Sequence, residues 1–383
     1  MGEEIEPARN SLAVTLSDWE GFARMKSQEI AQLRLQNQRI SSPEFEKPGD
    51  VLDWLGAVQA QDYFGSKWAL GLRMRGTTDK EIDKAFNEGS ILRTHLLRPT
   101  WHFVRPEDIR WLLALTAPRV HAANAYMYRR SELDEAAFQR SDAILANVLA
   151  GGKYLTRDEL KVCFENAHIS TGDGVRMSYL MMHAELEGLI CSGPRRGRQF
   201  TYALLEERAP QAKTLEREEA LAELSRRYFR SRGPATVQDF AKWSGLTVAD
   251  ARAGLEAVKI DLQHANLDGI EYWFSGSISS GKVDVPTAYL LSVYDEYIAS
   301  YKDRSAMAGE DFTRLFNAMG NALHYVIILD GRFVGTWKRT LKRDAVIIQL
   351  NLFTQLTKAE NQAIAKAAQQ YGAFLKLPVV LEN

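Results

Sequence analysis

The strongest constraint on this chain is an order of elements that occurs twice in its middle. Thr156-Arg157-Asp158-Glu159 is a capping box that opens a short helix. A polar turn, His168 to Asp173, leads to a second helix over Val175 to Glu187. Then come Leu189-Ile190-Cys191, the basic loop Arg195-Arg196-Gly197-Arg198 and the run Phe200-Thr201-Tyr202-Ala203-Leu204. Short helix, turn, longer helix and hairpin with a basic tip is the order of a winged helix-turn-helix. The order returns with a helix from Leu215 to Arg230 and a break at Gly233-Pro234. Thr236 and Thr247 cap the next two helices, and a hairpin from Ile260 to Phe274 turns at Asp268-Gly269.

A looser copy precedes these two. Asp50 can cap a helix with Val51, Leu55 and Val58 on one face. Thr78 with Glu81 forms a capping box, and Gly89 ends that helix. Ile91 to Val104 is expected to be extended, and Pro106 to open a long helix through Val120. After Pro286 the character changes. Val326 to Leu329, Phe333 to Trp337 and Val346 to Leu352 are β-rich, with a hairpin signal at Asp330-Gly331, a helix over Lys358 to Tyr371 and a final strand over Ala373 to Leu381. This predicts a small β-barrel or sheet carrying one helix. The fold class is α+β, mainly α.

Charge then limits the partners. Lys and Arg number 48 against 49 Asp and Glu, a net charge of -1, so nucleic acid cannot be held by bulk charge. Local cations must serve: Arg195, Arg196 and Arg198 at the hairpin tip, or Lys338, Arg339, Lys342 and Arg343 between two strands. The two cysteines, Cys163 and Cys191, point to a reduced compartment. No apolar run reaches the roughly 20 residues of a membrane span, and the acidic start MGEEIEPARN is not a secretory signal. A cytoplasmic protein without membrane contact is expected.

The common phosphate-loop, dinucleotide, serine-hydrolase and zinc-protease motifs are missing. Cys163, His168, His183 and Cys191 are the one zinc set worth weighing, and they lack tight CxxC spacing. No metal or cofactor is expected. Arg98, Thr100 and His102 alternate along a predicted strand and would share one face, where they could meet a phosphate or simply face water. Gln59 and Gln61 would point about 200° apart on a helix. They can serve one site only if the helix ends near Val58 and the pair is extended. Two amides could then hold one water molecule; the bland alternative is a solvated helix end.

Several ordered blocks resemble one family. They are Ala57 to Tyr63, Lys67 to Arg73, Arg98-Pro99-Thr100-Trp101-His102, Gly233 to Thr236, Trp243 to Leu246, Tyr294 to Tyr297, Tyr301 to Arg304, Asp330-Gly331 and Gly335-Thr336-Trp337. The family is the bacterial winged-helix DNA-binding superfamily that includes the AlkZ-like DNA glycosylases. The resemblance implies a C-shaped chain: a polar tail at 1–28, winged helices at 29–150, 151–207 and 208–275, and a β-barrel at 276–383. It implies a monomeric, monofunctional glycosylase that acts on double-stranded DNA carrying N7-alkylated guanine, including bulky adducts and interstrand cross-links. The family's catalytic signature of Gln, apolar residue, Gln matches Gln59-Ala60-Gln61; another branch has Asp in last place. Asp62, Tyr63, Arg98, Thr100 and His102 would then line the site. Lys67 and Arg93 would join Arg195, Arg196, Arg198, Lys338 and Arg339 in holding DNA. Pro99 stands where family members often have glycine. The rival reading is a winged-helix transcription regulator without activity; an unrelated enzyme built on Tyr294 to Arg304 ranks third.

Overall fold

The computed structural model describes residues 27–172, 174–267, 269–276, 285–307 and 325–382. The expected tail lies outside these up to residue 26, as do Asp173 and Asp268 of the two expected turns.

After α1 (Ser27–Asn37), one order of elements occurs three times. In the first unit it is α2 (Pro48–Leu55), β1 (Val58–Gln59), α3 (Tyr63–Gly71), α4 (Asp79–Glu88) and the hairpin β2 (Leu92–Leu96)–β3 (Thr100–Val104). A long helix α5 (Ile109–Arg130) leads on to α6 (Glu135–Leu149), β4 (Leu155–Thr156), α7 (Arg157–Asn166), α8 (Val175–Leu186) and the hairpin β5 (Ile190–Ser192)–β6 (Thr201–Leu204). One turn, α9 (Leu205–Arg208), precedes α10 (Arg217–Arg232), α11 (Val237–Ser244), α12 (Val248–Val258) and the hairpin β7 (Gln263–Leu267)–β8 (Ile270–Phe274). The first two sheets share a topology, β1-β3-β2 and β4-β6-β5: the short leading strand joins the second hairpin strand. In the third unit a single bridge from Ala235 to Trp273 of β8 stands in for the leading strand.

Capping fixes the helix starts. Thr78 with Glu81, Thr156 with Glu159, Thr236 with Asp239 and Thr247 with Asp250 all form reciprocal boxes. Two expected starts differ. The second helix opens at Pro48, with Lys47 as N-cap and Asp50 inside the first turn, where its charge favours the helix dipole. The α5 helix opens at Ile109 instead of Pro106 and runs through Pro118 to Arg130, because buried Trp111, Leu112, Leu115 and Val120 hold it in place.

The C-terminal part contains β9 (Ala288–Leu291), which the sequence reading missed, α13 (Glu296–Ala299), β10 (Tyr325–Leu329), β11 (Arg332–Leu341), β12 (Val346–Leu352), α14 (Lys358–Leu375) and β13 (Val379–Glu382). The expected barrel is corrected here. Among the described residues these strands form an open sheet of order β13-β12-β11-β10-β9. Its face is covered by α14 instead of being closed by strand pairing, with Trp337 and Tyr371 edge to face at 5.1 Å. Helix α14 also runs to Leu375, into the segment expected to be strand, and β13 pairs parallel to β12. One buried cluster joins the first unit, the third unit and the sheet. A second, from Leu133 to Tyr202, forms around α6, α7 and α8.

Candidate active site

The site begins where a helix is forced to stop. Gly56, at φ +77°, donates its N–H to Leu52 O and closes α2. The next carbonyls are taken by Arg232, whose Nη1 donates to Leu55 O at 2.7 Å and Nη2 to Ala57 O at 3.1 Å. Val58 and Gln59 then pair with Phe103 and His102 of β3, and Ala60 N–H donates to Trp101 O at 2.7 Å. The run is therefore extended through Ala60, and the chain bends at Gln61, which is exposed where Gln59 is buried. Here the first unit departs from the others. Thr156 and Thr236 cap their helices directly at the end of the short strand or bridge, whereas Ala60, Gln61 and Asp62 intervene before α3.

Gln59 is held from behind by a fully buried carboxylate. Its backbone N–H donates to Glu296 Oε1 at 2.9 Å. Glu296 Oε2 accepts from Arg232 Nη2 at 2.8 Å, Trp243 Nε1 at 2.8 Å and Ser300 Oγ at 2.9 Å. Burial alone would raise the Glu296 pKa, but the charge and hydrogen bond of Arg232, with the Gln59 N–H, outweigh it and leave it at about 2. The segment Tyr294 to Arg304 is thus a brace for β1. Beside it, Arg73 grips Asp295 with two bonds of 2.9 Å.

The glutamine side chains are oriented by donors. Arg98 Nη2 donates to Gln59 Oε1 at 3.2 Å, and its Nη1 donates to Trp243 O at 2.6 Å at the C-terminal end of α11. Arginine has no acceptor, so the Gln59 oxygen must face it. Trp101 N–H lies 3.4 Å from Gln61 Oε1 and turns that amide in the same way. Arg98 sits in the β2–β3 turn, not on the strand face expected for it; only Thr100 and His102 of that trio lie on β3. The turn bonds run from Arg98 N–H to Leu96 O and from Thr100 N–H to Arg98 O, so the missing N–H of Pro99 orphans no acceptor there.

His102 is buried and neutral. Burial first, then the Arg98 charge, push its pKa down to about 3. Its Nδ1 lies 3.0 Å from Thr100 O, so Nδ1 carries the proton and donates. Among the described residues, Nε2 of His102 and Oγ1 of Thr100 have no hydrogen-bond partner. Buried orphans on one face are what a site missing its polar occupant presents.

Asp62 occupies the N-cap position of α3 without capping it; its Oδ2 accepts from Tyr325 Oη at 2.6 Å, tying the site to the C-terminal sheet. Tyr63 donates to Asp83 at 2.7 Å and packs with Phe86, Phe103 and Phe200.

The expected DNA-binding cations divide into two groups. Lys67 is fully buried between Asp79 at 2.7 Å and Asp83 at 2.8 Å. Arg93 is buried over Trp101 and donates to Ala60 O at 3.0 Å, a support for the glutamine strand. Arg195 folds inward over Tyr63, its guanidinium 4.8 Å from the ring centroid, and Arg339 is held against Tyr371. These four are engaged inside the fold. Arg196, Arg198 and Lys338 are exposed, and Arg196 pairs with Glu159 at 2.6 Å. The expected zinc set does not assemble. Cys191 is buried, its thiol pushed up to about 12 by burial, and His183 stands beside His121 and Glu187 instead of beside either cysteine.

Arg232 is missed by the sequence analysis, Arg93 enters it only as a cation for DNA and Glu296 only within a block of the family resemblance, because the partners that fix their roles here lie 175, 33 and 237 residues away.

Two oriented amides at the end of a strand braced by a buried ion pair can hold and place a water molecule. Residues 52–374, which include the whole of this arrangement, match the model of a family of DNA glycosylases. The chain belongs to that family, described as DNA glycosylase AlkZ-like. It is 24% identical over 324 residues to the interstrand DNA cross-link repair glycosylase of Streptomyces sahachiroi, covering 81% of this chain and 87% of that one. The solved structure of the S. sahachiroi DNA glycosylase AlkZ shares the fold at a TM-score of 0.74 and 21% identity, covering 94% of this chain and all of that one.

Proposed function

We propose that the chain hydrolyses the N-glycosidic bond of N7-alkylguanine in double-stranded DNA, including bulky adducts and interstrand cross-links, as a monofunctional glycosylase. The observation that carries this reading is the pair of amides of Gln59 and Gln61, oriented by Arg98 and by the Trp101 N–H where the first unit interrupts the repeat. N7 alkylation makes guanine cationic, so N9 departs with the bonding pair as a neutral base. An oxocarbenium forms at C1′, water adds to it, and the water's proton passes to solvent. Amides need only place that water and stabilise positive charge. An unmodified guanine would need a general acid as well, because it leaves as an anion unless protonated.

In this reading the three repeated units are winged helices that grip the duplex, and Arg196, Arg198 and Lys338 meet its phosphates. The name of the S. sahachiroi relative supports cross-links among the substrates. The physiological setting would be base excision repair or self-resistance to alkylating natural products. The test is a duplex with one N7-methylguanine and a second with an N7-linked interstrand cross-link, each incubated with the protein and scored for alkali-labile abasic sites. Base release from both is expected. Tight binding without release would favour the regulator reading instead.

A further inference from the structure

Away from the glutamines, three neighbouring side chains carry buried polar atoms without hydrogen-bond partners among the described residues: His121 Nε2, His183 Nδ1 and Asp142 Oδ1. A fold seldom leaves several such atoms unsatisfied in one place. His121 lies on α5; His183 and Glu187 are four residues apart at the C-terminal end of α8 and so share a face. One ligand atom from each of His121, His183 and Glu187 lies within 4.8 Å of the other two. His121 Nε2 stands 2.9 Å from Glu187 Oε1. That contact is close but poorly directed as a hydrogen bond. An imidazole nitrogen and a carboxylate oxygen this close can serve one ion. Tetrahedral zinc with bonds near 2.0–2.1 Å sets its ligand atoms about 3.3 Å apart.

The surroundings support ligation. The other nitrogen of His121, Nδ1, is 2.9 Å from Tyr128 Oη, as an outer partner of a metal-bound imidazole is. The His183 ring is fixed flat on Phe138, with centroids 3.7 Å apart and planes 7° apart. Asp142 Oδ2 lies 3.6 Å from His183 Nδ1, close enough to orient that ring through a small shift.

We propose that His121, His183 and Glu187 bind one divalent transition-metal ion of the zinc class, with water in the fourth position and Asp142 as the outer carboxylate. Two imidazoles and one carboxylate suit zinc, nickel or cobalt better than magnesium or calcium. The ion would pin α8 to α5. It shares no residue with the glutamine centre, so its role is to set the position of α8 and not to activate water for base release. The proposal is independent of the substrate reading above.

The full chain, stripped with EDTA, is titrated with Co²⁺ and followed by visible absorption, then with Zn²⁺ by calorimetry and thermal melting. One equivalent should bind, with d–d bands of a low-coordinate site and a raised melting temperature. Glu187→Gln, an exposed position that leaves the fold intact, should weaken binding by at least about tenfold. His121→Gln should abolish the d–d bands, and base release should be the same with and without Zn²⁺. Absence of stoichiometric binding, or binding unchanged by both substitutions, would overturn the proposal.

Discussion

Glu296 Oε1 accepts the backbone N–H of Gln59 at 2.9 Å across 237 residues of sequence, so the position of the strand that carries Gln59 is set by the C-terminal part of the chain. The other oxygen of Glu296 meets Arg232, which in turn holds Leu55 O and Ala57 O just ahead of that strand. One buried carboxylate therefore aligns both sides of the bend from α2 into β1.

Glu296→Gln keeps the shape and removes the charge opposite Arg232. Breaking a buried, hydrogen-bonded ion pair costs about 3 kcal/mol or more. Chemical denaturation should show that loss, and single-turnover base release should fall while affinity for undamaged duplex holds.

Arg98 joins Gln59 Oε1 to the end of α11. Arg98→Ala should slow base release by about 10²-fold through misplacement of one amide. Arg98→Lys should not restore the rate, because an ammonium is a point charge and lacks the planar fork that spans both acceptors. Single-turnover rates of the two variants decide it.

Gly245, at φ +73°, packs against the same turn: a Cβ there would sit 2.2 Å from Leu97 O. Gly245→Ala combines a strained backbone with a backbone clash, and should cost about 2–3 kcal/mol and push Arg98 out of place. Denaturant melts alongside base-release rates read both effects.

Acid should destabilise the fold in two stages. Unfolded His102 takes a proton below its ordinary 6.5, whereas the folded residue stays neutral until about 3, so stability falls with pH across that window. The corresponding window for Glu296 runs from 4.5 down to about 2, with the same sign. Between pH 6.5 and 4.5 only His102 of these two contributes, at up to about 1.4 kcal/mol per pH unit. Urea melts of His102→Asn over that range should show a shallower slope than the parent.

Arg196 and Arg198 are the exposed cations of the β5–β6 tip. If both meet phosphates, replacing both with Ala should reduce the slope of log affinity against log salt by about 2 units. Arg195→Ala should leave that slope unchanged, since its guanidinium lies over Tyr63. Binding titrations at several salt concentrations test the division.

Local signals carried much of the architecture. The boxes at Thr78, Thr156, Thr236 and Thr247 are made by residues three apart, and Gly89 and Gly245 close helices in the left-handed conformation only glycine adopts easily. The placement of the two glutamines could be posed only as a condition, because Arg232, which holds the carbonyls of Leu55 and Ala57 around the Gly56 stop, lies far along the chain. The same limit explains the cations. Lys67, Arg93 and Arg195 read as surface charges until Asp79, Asp83, Trp101 and Tyr63 are seen around them. Whether β-rich runs close into a barrel depends on pairings between distant strands, and here α14 covers the face instead.

The most direct measurement is single-turnover release of N7-methylguanine from duplex DNA by Gln59→Ala, Gln61→Ala and the double variant, each with its DNA affinity. Gln59 is held through its backbone and Gln61 is exposed, so all three should fold. The account predicts that each single substitution slows release, that the double variant has none, and that all bind duplex as tightly as the parent. Release at the parental rate in the double variant would contradict it.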